Sequence, residues 1–434
     1  MESESIPPKE NVNEENNNKN QENENKKDET NGNYIKAEIE IKKADVKKSI
    51  RIINSFEQYK REKKFKDTSD DCKFENENEI KEKCEIKING NTIPFQYFHK
   101  FKKKGKYTIE YSFKTDLTNM SYMFCECDAF LNIDFSNFNT QKVKNMGALF
   151  FKCSSLPNID LSKLNTENVS NMTCMFSYCT SLSDINISNL NTQNVINMTC
   201  MFSYCSSLKK IDLSNFNTQN VTNMSYMFTG CSALSDINLS NINTEKVTNM
   251  AGMFSSCTSL KSINLSNLNT QNVTDMTCMF SKCSSLTDIN LSKLNISNVT
   301  NISLMFSGCT SLKDINLSDF NTQNVTNMSC IFLGCSSLPS IDLSNFNTQK
   351  VTNMGYMFSG CSSLSNLNLS NFNTGNVTNM GGMFTGCSSL SNLNLSNFNT
   401  DNVTNIKGIF SGCSSLKKDN VITNNKKLLK EINN

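Results

Sequence analysis

Nineteen cysteines, a single histidine and many Asn, Asp, Ser and Thr residues are the side chains of this 434-residue chain that could do chemistry. Twelve of the cysteines recur every 26 residues, from Cys127 to Cys413. Such a ladder could be a disulfide zipper, since stacked coils bring Cα atoms into disulfide range. Each of them, however, lies three residues after a Phe and seven after a Met or Ile. There Cys serves as a small hydrophobe, and the buried-thiol reading is favoured. Cys174 and Cys200 form a second, more exposed pair one period apart, with Cys278 and Cys330 isolated at the same place in the unit. A redox or metal role for that pair is the alternative to a plain structural one. Cys125 and Cys127 have the wrong spacing for a zinc knuckle. His99 precedes the repeats, which removes most His-based catalysis and His-containing zinc sites from the array. Asp160 with Ser162, or Asp212 with Ser214, could coordinate calcium, but Asn stands at 186, 238, 264 and 290, so a solvated face is favoured. Threonines at 140, 166, 192, 218 and 244 could present a flat ice-binding array, yet the second threonine of a T-x-T rank is missing. Tyr178 and Tyr204 stand one period apart, with Tyr226 in the next unit, and exposed aromatics are common interface anchors. These three are the candidate partner-binding residues; catalytic residues, metal ligands and cofactor sites are expected to be none.

The element that positions these residues is a repeat. Met or Ile recurs at 120, 146, 172, 198, 224, 250, 276, 302, 328, 354, 380 and 406, and Phe follows four residues later each time, from Phe124 to Phe410. Unslipped self-similarity of this kind marks a solenoid. In the unit 221–246, Met224, Met227, Phe228 and Cys231 are apolar at i, i+3, i+4 and i+7. That spacing predicts one face of a short helix, with Thr222 or Asn223 as N-cap and Gly230 as its left-handed stop. Leu234, Ile237 and Leu239 predict a strand, Ile242 points inward, and Asn243-Thr244 turn the chain back to Val247. One unit buries too little apolar surface to offset the ordering of its backbone, so stacking is obligatory. The fold class is therefore an α/β repeat solenoid: a leucine-rich-repeat-like stack of strand–turn–short-helix units behind a small β-rich N-terminal cap. Stacked identical residues form ladders, and Asn139, Asn165, Asn191 and their successors to Asn399 are expected to bond along the axis as stacked amides.

Residues 1–33 read as a disordered polar tail and 34–116 as the β-rich leader. The solenoid spans 117–420, and 421–434 form a C-terminal cap with a short helix around Leu428, Leu429 and Ile432. In the leader, Ile35, Ala37, Ile39 and Ile41 alternate with polar residues, as do Ile50 and Ile52. Ser55 starts a helix with Gln58 in capping-box position, Asn89-Gly90 signals a hairpin, and Tyr107, Ile109, Tyr111 and Phe113 form a last strand expected to dock on the first repeat. The net charge of +2 gives no global field toward nucleic acid or an anionic membrane. Trp is absent, and both arginines, Arg51 and Arg61, precede the repeats. No stretch is long and apolar enough for a membrane span, and the first residues show no signal-peptide pattern. That reading predicts a cytoplasmic protein.

The run Asn220 to Thr244 resembles the BspA-like leucine-rich repeat, most closely its Asn- and Met-rich form in bacterial surface proteins and mycoplasma-type lipoproteins. The resemblance covers about residues 117–420. The commoner leucine-rich consensus places Asn three residues after the last strand leucine; here Phe216, Ile242 or Leu268 holds that place and Asn follows one later. The resemblance implies surface display, adhesion or a protein-binding scaffold, and no catalytic residues. The expected function is a non-catalytic scaffold binding a protein partner through its extended surface. The alternative is a secreted or surface-anchored adhesin binding host or extracellular material.

Overall fold

A computed structural model describes residues 32–66 and 73–432. Residues 1–31 of the expected tail, and Cys72, lie outside the described residues.

The leader forms from its alternating segments. β1 (Tyr34–Ile41) buries Ile35, Ala37, Ile39 and Ile41 on one face, as its period of two requires. β2 (Ser49–Arg51) precedes α1 (Phe56–Lys63), whose N-cap Ser55 accepts from the Gln58 backbone N–H. α2 (Glu77–Lys83), β3 (Cys84–Ile88), β4 (Asn91–Ile93), β5 (Phe98–Lys100) and β6 (Gly105–Phe113) follow. The β3–β4 hairpin turns on Asn89 and Gly90 at φ 48° and 78°, as their dipeptide signal predicts. β7 (Phe130–Asn137) belongs to the first repeat. It joins the leader in one sheet of order β4-β3-β6-β1-β7. The strand against the first repeat is thus β1, not the last leader strand. β6 has both edges occupied, by β3 and by β1, and has none left to offer.

Beyond β7 the expected stack of 26-residue units is present, with one difference inside the unit. Short parallel strands such as β8 (Asn158–Asp160) and β9 (Asp184–Asn186) pair in register. The Met–Phe–Cys segment is not a helix but a chain of turns. In the coil starting at Met224, the N–H groups of Met227, Thr229 and Cys231 donate to carbonyls three residues back. Those of Met224, Tyr226, Phe228 and Gly230 donate to Asn249, Ala251, Met253 and Ser255 of the next coil. Alternate amides therefore bond along the stack, which no α-helix permits. The same side chains still face inward, so the helical spacing is satisfied by a different backbone.

Asparagine drives this geometry. The residue before each Met or Ile, from Asn119 to Asn405 with Asp275 as the one acid, bridges to its equivalent in the next coil in an unbroken column. Each also accepts from the N–H two residues on, as Asn223 does from Ser225 at 2.9 Å. That Asx turn starts the first bend. The asparagines expected to form an amide ladder do something else: Asn139, Asn165 and Asn191 accept from the N–H of Gln141, Glu167 and Gln193. Each of these oxygens closes a local Asx turn. An amide ladder does run at the other column's end, from Asn405 to Asn379 to Asn353 at 2.9 and 3.0 Å. Glycine at 355 and 381 leaves room for it, since a Cβ there would meet the neighbouring amide at 2.7 or 2.5 Å.

Twelve phenylalanines from Phe124 to Phe410 stack face to face through the interior, as Phe228 does on Phe254 at 5.8 Å and 3°. The twelve ladder cysteines are buried and unpaired. From Cys153 on, each points its thiol at a Phe carbonyl 29 residues earlier, as Cys231 does at Phe202, 3.1 Å away. The threonine rank is buried too: Thr244 is fully buried and donates to the Asn269 carbonyl at 2.7 Å. A buried rank cannot meet ice. At the C-terminal end, α3 (Lys426–Glu431) seats Leu428 in the core, capped by Asn425.

Candidate functional site

Each coil places two residues in the left-handed region, two and six positions after its Met or Ile, at 24 positions in all. Nine of these are glycines and the other 15 carry side chains at positive φ. A left-handed L-residue costs roughly 1–2 kcal/mol, and here the inter-coil amide bonds on either side hold it there. The side chain of such a residue points out of the coil. Of the eight exposed large hydrophobic residues among those described, four stand on these two ranks: Tyr178, Tyr204, Tyr226 and Tyr356. The outward tyrosines follow from the backbone.

The structure brings two of the three candidate tyrosines together. Tyr178 and Tyr204, at φ 63° and 58°, stack with ring centroids 4.5 Å apart and planes 11° apart. The Tyr204 ring then lies over Gly230, where a Cβ would sit 2.6 Å from it. Tyr226 is on the other rank, in line with Cys174 and Cys200, and its ring lies over Gly252 in the same way, where a Cβ would sit 2.4 Å from it. It pairs with neither of the other rings. Tyr356 over Gly382 repeats the arrangement. Sequence reasoning missed it, although the signal was present: a tyrosine followed 26 residues later by glycine, as at 204, 226 and 356. The small residue is the shelf on which the ring lies.

Toward the leader the tyrosine pair continues as an aromatic ribbon. Tyr178 meets Phe151 edge-on at 5.8 Å, Phe151 meets Tyr59 of α1 at 6.1 Å, and Tyr59 meets Tyr122 at 5.0 Å. Lys152 lies over Phe151 and Lys63 over Tyr59, at 5.3 and 5.4 Å. Both lysines also reach Glu126, at 3.2 and 2.8 Å. Burial pushes the Glu126 carboxyl up, but these two hydrogen bonds outweigh it and hold it below its ordinary value. Arg51, sandwiched against Phe98 at 4.3 Å, pairs with Glu62 and, at 3.8 Å, with Glu126. A cleft of about 750 Å³ opens here, lined by Arg51, Glu126, Asp128, Lys152 and Tyr178 among others. Sequence reading found none of these charged members, because they gather from three separate elements.

Burial lowers the pKa of His99, whose ring pairs with Gln96 at 2.8 Å and packs on Phe101. Among the described residues no group of three or more His, Cys, Asp or Glu is arranged to hold a metal ion, and no helix is long and apolar enough to cross a membrane.

A family model described as "Mycoplasma protein of unknown function, DUF285" matches residues 95–211, 197–316 and 305–425. Among solved structures, the chain is similar to a leucine-rich cell surface protein from Faecalibacterium prausnitzii: 18% identity, 67% of this chain and 79% of the other covered, TM-score 0.33. A leucine-rich repeat protein from Eubacterium ventriosum gives 18% identity, 64% and 82% coverage and a TM-score of 0.35. One from Bacteroides ovatus gives 21%, 62% and 80%, and 0.28. No match to a curated protein was found.

Proposed function

The chain belongs to the DUF285 family of mycoplasma-type repeat proteins, and from that premise we propose that it is a non-catalytic scaffold that binds a protein partner through the Tyr178–Tyr204 stack and the aromatic ribbon beside it. The observation that carries this reading is the pair itself. Two partly exposed rings, 38% and 41% accessible, are held parallel by left-handed backbone and a glycine shelf. Rigid aromatics lose little side-chain entropy on binding, which is why such residues serve as anchors. The adjoining cleft, with Arg51, Lys152, Glu126 and Asp128, suits polar side chains of a partner at the rim of the same contact. Residues 34–116 act in this reading as the N-terminal cap and 421–434 as the C-terminal one; the β1–β7 pairing and the seating of Leu428 support both roles.

The test is capture of a partner by tagged full-length chain, compared with Tyr178→Ala/Tyr204→Ala and with Tyr356→Ala as a control elsewhere on the array. A protein retained by the wild type and the control but lost with the double variant supports the reading. Equal capture by all three overturns it. Gly230→Ala is a finer probe: its Cβ displaces the Tyr204 ring without removing it, and binding should weaken. The reading leaves nucleic acid out, because the repeats contain no arginine; titration with a labelled single-stranded RNA should give no binding at physiological salt. The adhesin alternative uses the same surface and differs in where the partner is met. Labelling of intact cells by a membrane-impermeant reagent separates the two, since only a displayed chain is modified.

A further inference from the structure

Four cysteines outside the buried ladder occupy one rank, two residues after the Met or Ile of their coils: Cys174, Cys200, Cys278 and Cys330. All four are partly exposed, whereas the twelve ladder cysteines are buried. Cys174 and Cys200 stand in consecutive coils. Cys278 and Cys330 are separated by a full coil that carries Leu304 at this place. The backbone sets the first two side by side. Both are left-handed, at φ 55° and 56°, and the Cys174 N–H donates to the carbonyl of Thr199, the residue next to Cys200, at 2.9 Å. Four residues on, Tyr178 and Tyr204 project in parallel from the same two coils with rings 4.5 Å apart.

We propose that Cys174 and Cys200 form a dithiol modification site, which takes a low-molecular-weight disulfide as its substrate and closes to an intramolecular disulfide joining the two coils. The geometry meets the requirements. Neighbouring coils hold equivalent Cα atoms about 4.8 Å apart, inside the range a disulfide spans. The thiols are accessible, and the backbone that presents them is fixed by inter-coil bonds on both sides, so little movement is needed.

The chemistry balances. The Cys200 thiolate attacks one sulfur of the disulfide reagent, whose S–S bond breaks and releases one thiol. Cys174, deprotonated in turn, attacks the Cys200 sulfur of the mixed disulfide and displaces the second thiol. Two protein thiols are oxidised and one disulfide is reduced to two thiols. Cys200 is the better first nucleophile. It is the less buried of the two, and hydrogen bonding from the Cys174 thiol holds its pKa below the ordinary value, while the same contact and burial push Cys174 up. The isolated cysteines cannot take the second step: Cys278 and Cys330 have no thiol at the same place in the adjoining coils, where the other cysteines are buried, and stop at the mixed disulfide.

The experiment is incubation of the reduced full-length chain with oxidised glutathione, then blocking of free thiols, non-reducing digestion and mass spectrometry. The expected product is a peptide pair linked through Cys174 and Cys200, with any glutathione adducts among the other repeat cysteines confined to Cys278 and Cys330. In Cys174→Ser the second step is lost, and glutathione should accumulate on Cys200. The linked chain should melt at a higher temperature than the reduced one, and a reductant should reverse the shift. Two separate glutathione adducts at 174 and 200 overturn the proposal. So do free thiols at both positions, whatever Cys278 does.

Discussion

Removal of one ring from the phenylalanine column should divide the array. Phe254 is fully buried between Phe228 and Phe280, with ring centroids at 5.8 and 5.6 Å and planes within 3° and 10° of parallel. Phe254→Ala deletes both ring contacts and leaves a cavity, for a cost of about 3–5 kcal/mol. The two aromatic contacts account for about 0.5–1.5 kcal/mol each. Phe254→Leu keeps most of the apolar volume and should lose only that part, roughly 1–3 kcal/mol. Because each coil touches only its neighbours, the damage is local. Coils on either side stay intact and unfold as two units where the wild type unfolds as one. Phe410, at the column's end, is 7% exposed and stacks on Phe384 alone at 5.9 Å. The same change there should cost less and split nothing. Urea denaturation followed by circular dichroism reads the cost, and hydrogen exchange locates the new boundary. A single transition for Phe254→Ala with a loss below about 1 kcal/mol would refute the reasoning, since ordinary surface substitutions reach half that. An equal loss at Phe410 would also refute it.

Other consequences are as direct. Thr322 is fully buried, donates to the Asn347 carbonyl at 2.9 Å and accepts from the Asn347 N–H at 2.8 Å; Thr322→Val strands both groups and should cost about 1–3 kcal/mol by thermal or urea melting. Burial raises the thiol pKa values of the ladder cysteines, so a bulky maleimide should leave all twelve unlabelled in the native chain, label Cys174, Cys200, Cys278 and Cys330, and label all nineteen after denaturation. Hydrogen bonds from Arg61, Lys81 and Tyr97 outweigh burial and lower Glu77 from the usual 4.5 to about 2. A carboxylate depressed on folding stabilises above its unfolded pKa and loses that effect as pH falls through the folded one; the leader should therefore weaken between about pH 4.5 and 2, and Glu77→Gln should flatten that slope in near-ultraviolet circular dichroism. The Asn220-Val221-Thr222 triplet is a potential glycan acceptor, but its amide donates to the Gln193 carbonyl of the preceding coil at 2.8 Å; intact mass of the natively expressed protein should show no glycan within the repeats.

Much of this architecture was legible in the sequence because the period repeats without error. Residues recurring every 26 positions must stack, and stacked apolar ones must be core. Phe124 to Phe410 and Cys127 to Cys413 could therefore be assigned to the interior before any coordinates. Local signals of short range were equally readable. Asn89-Gly90 closes its hairpin and Ser55 caps its helix, because each depends only on residues within a few positions. That Tyr178 and Tyr204 stand one coil apart also followed from spacing alone.

What only the tertiary structure decided is where the backbone amides go. Apolar residues at i, i+3, i+4 and i+7 fit one face of a helix, and they fit a chain of turns equally well. The choice falls to the turns because the N–H groups of Met224, Tyr226, Phe228 and Gly230 find carbonyls in the next coil, 25 residues away. No local pattern encodes a partner at that distance. From that choice come the two left-handed residues per coil, the outward tyrosines and the side-by-side thiols of Cys174 and Cys200. The same holds for the leader: β1 lies against β7 because β6 is hydrogen-bonded on both edges. The charged cleft around Arg51 and Glu126 likewise exists only once α1, β2 and the first coils have met. Sequence periodicity fixes which side chains are buried; the competition of backbone donors for distant acceptors fixes how the chain turns to bury them.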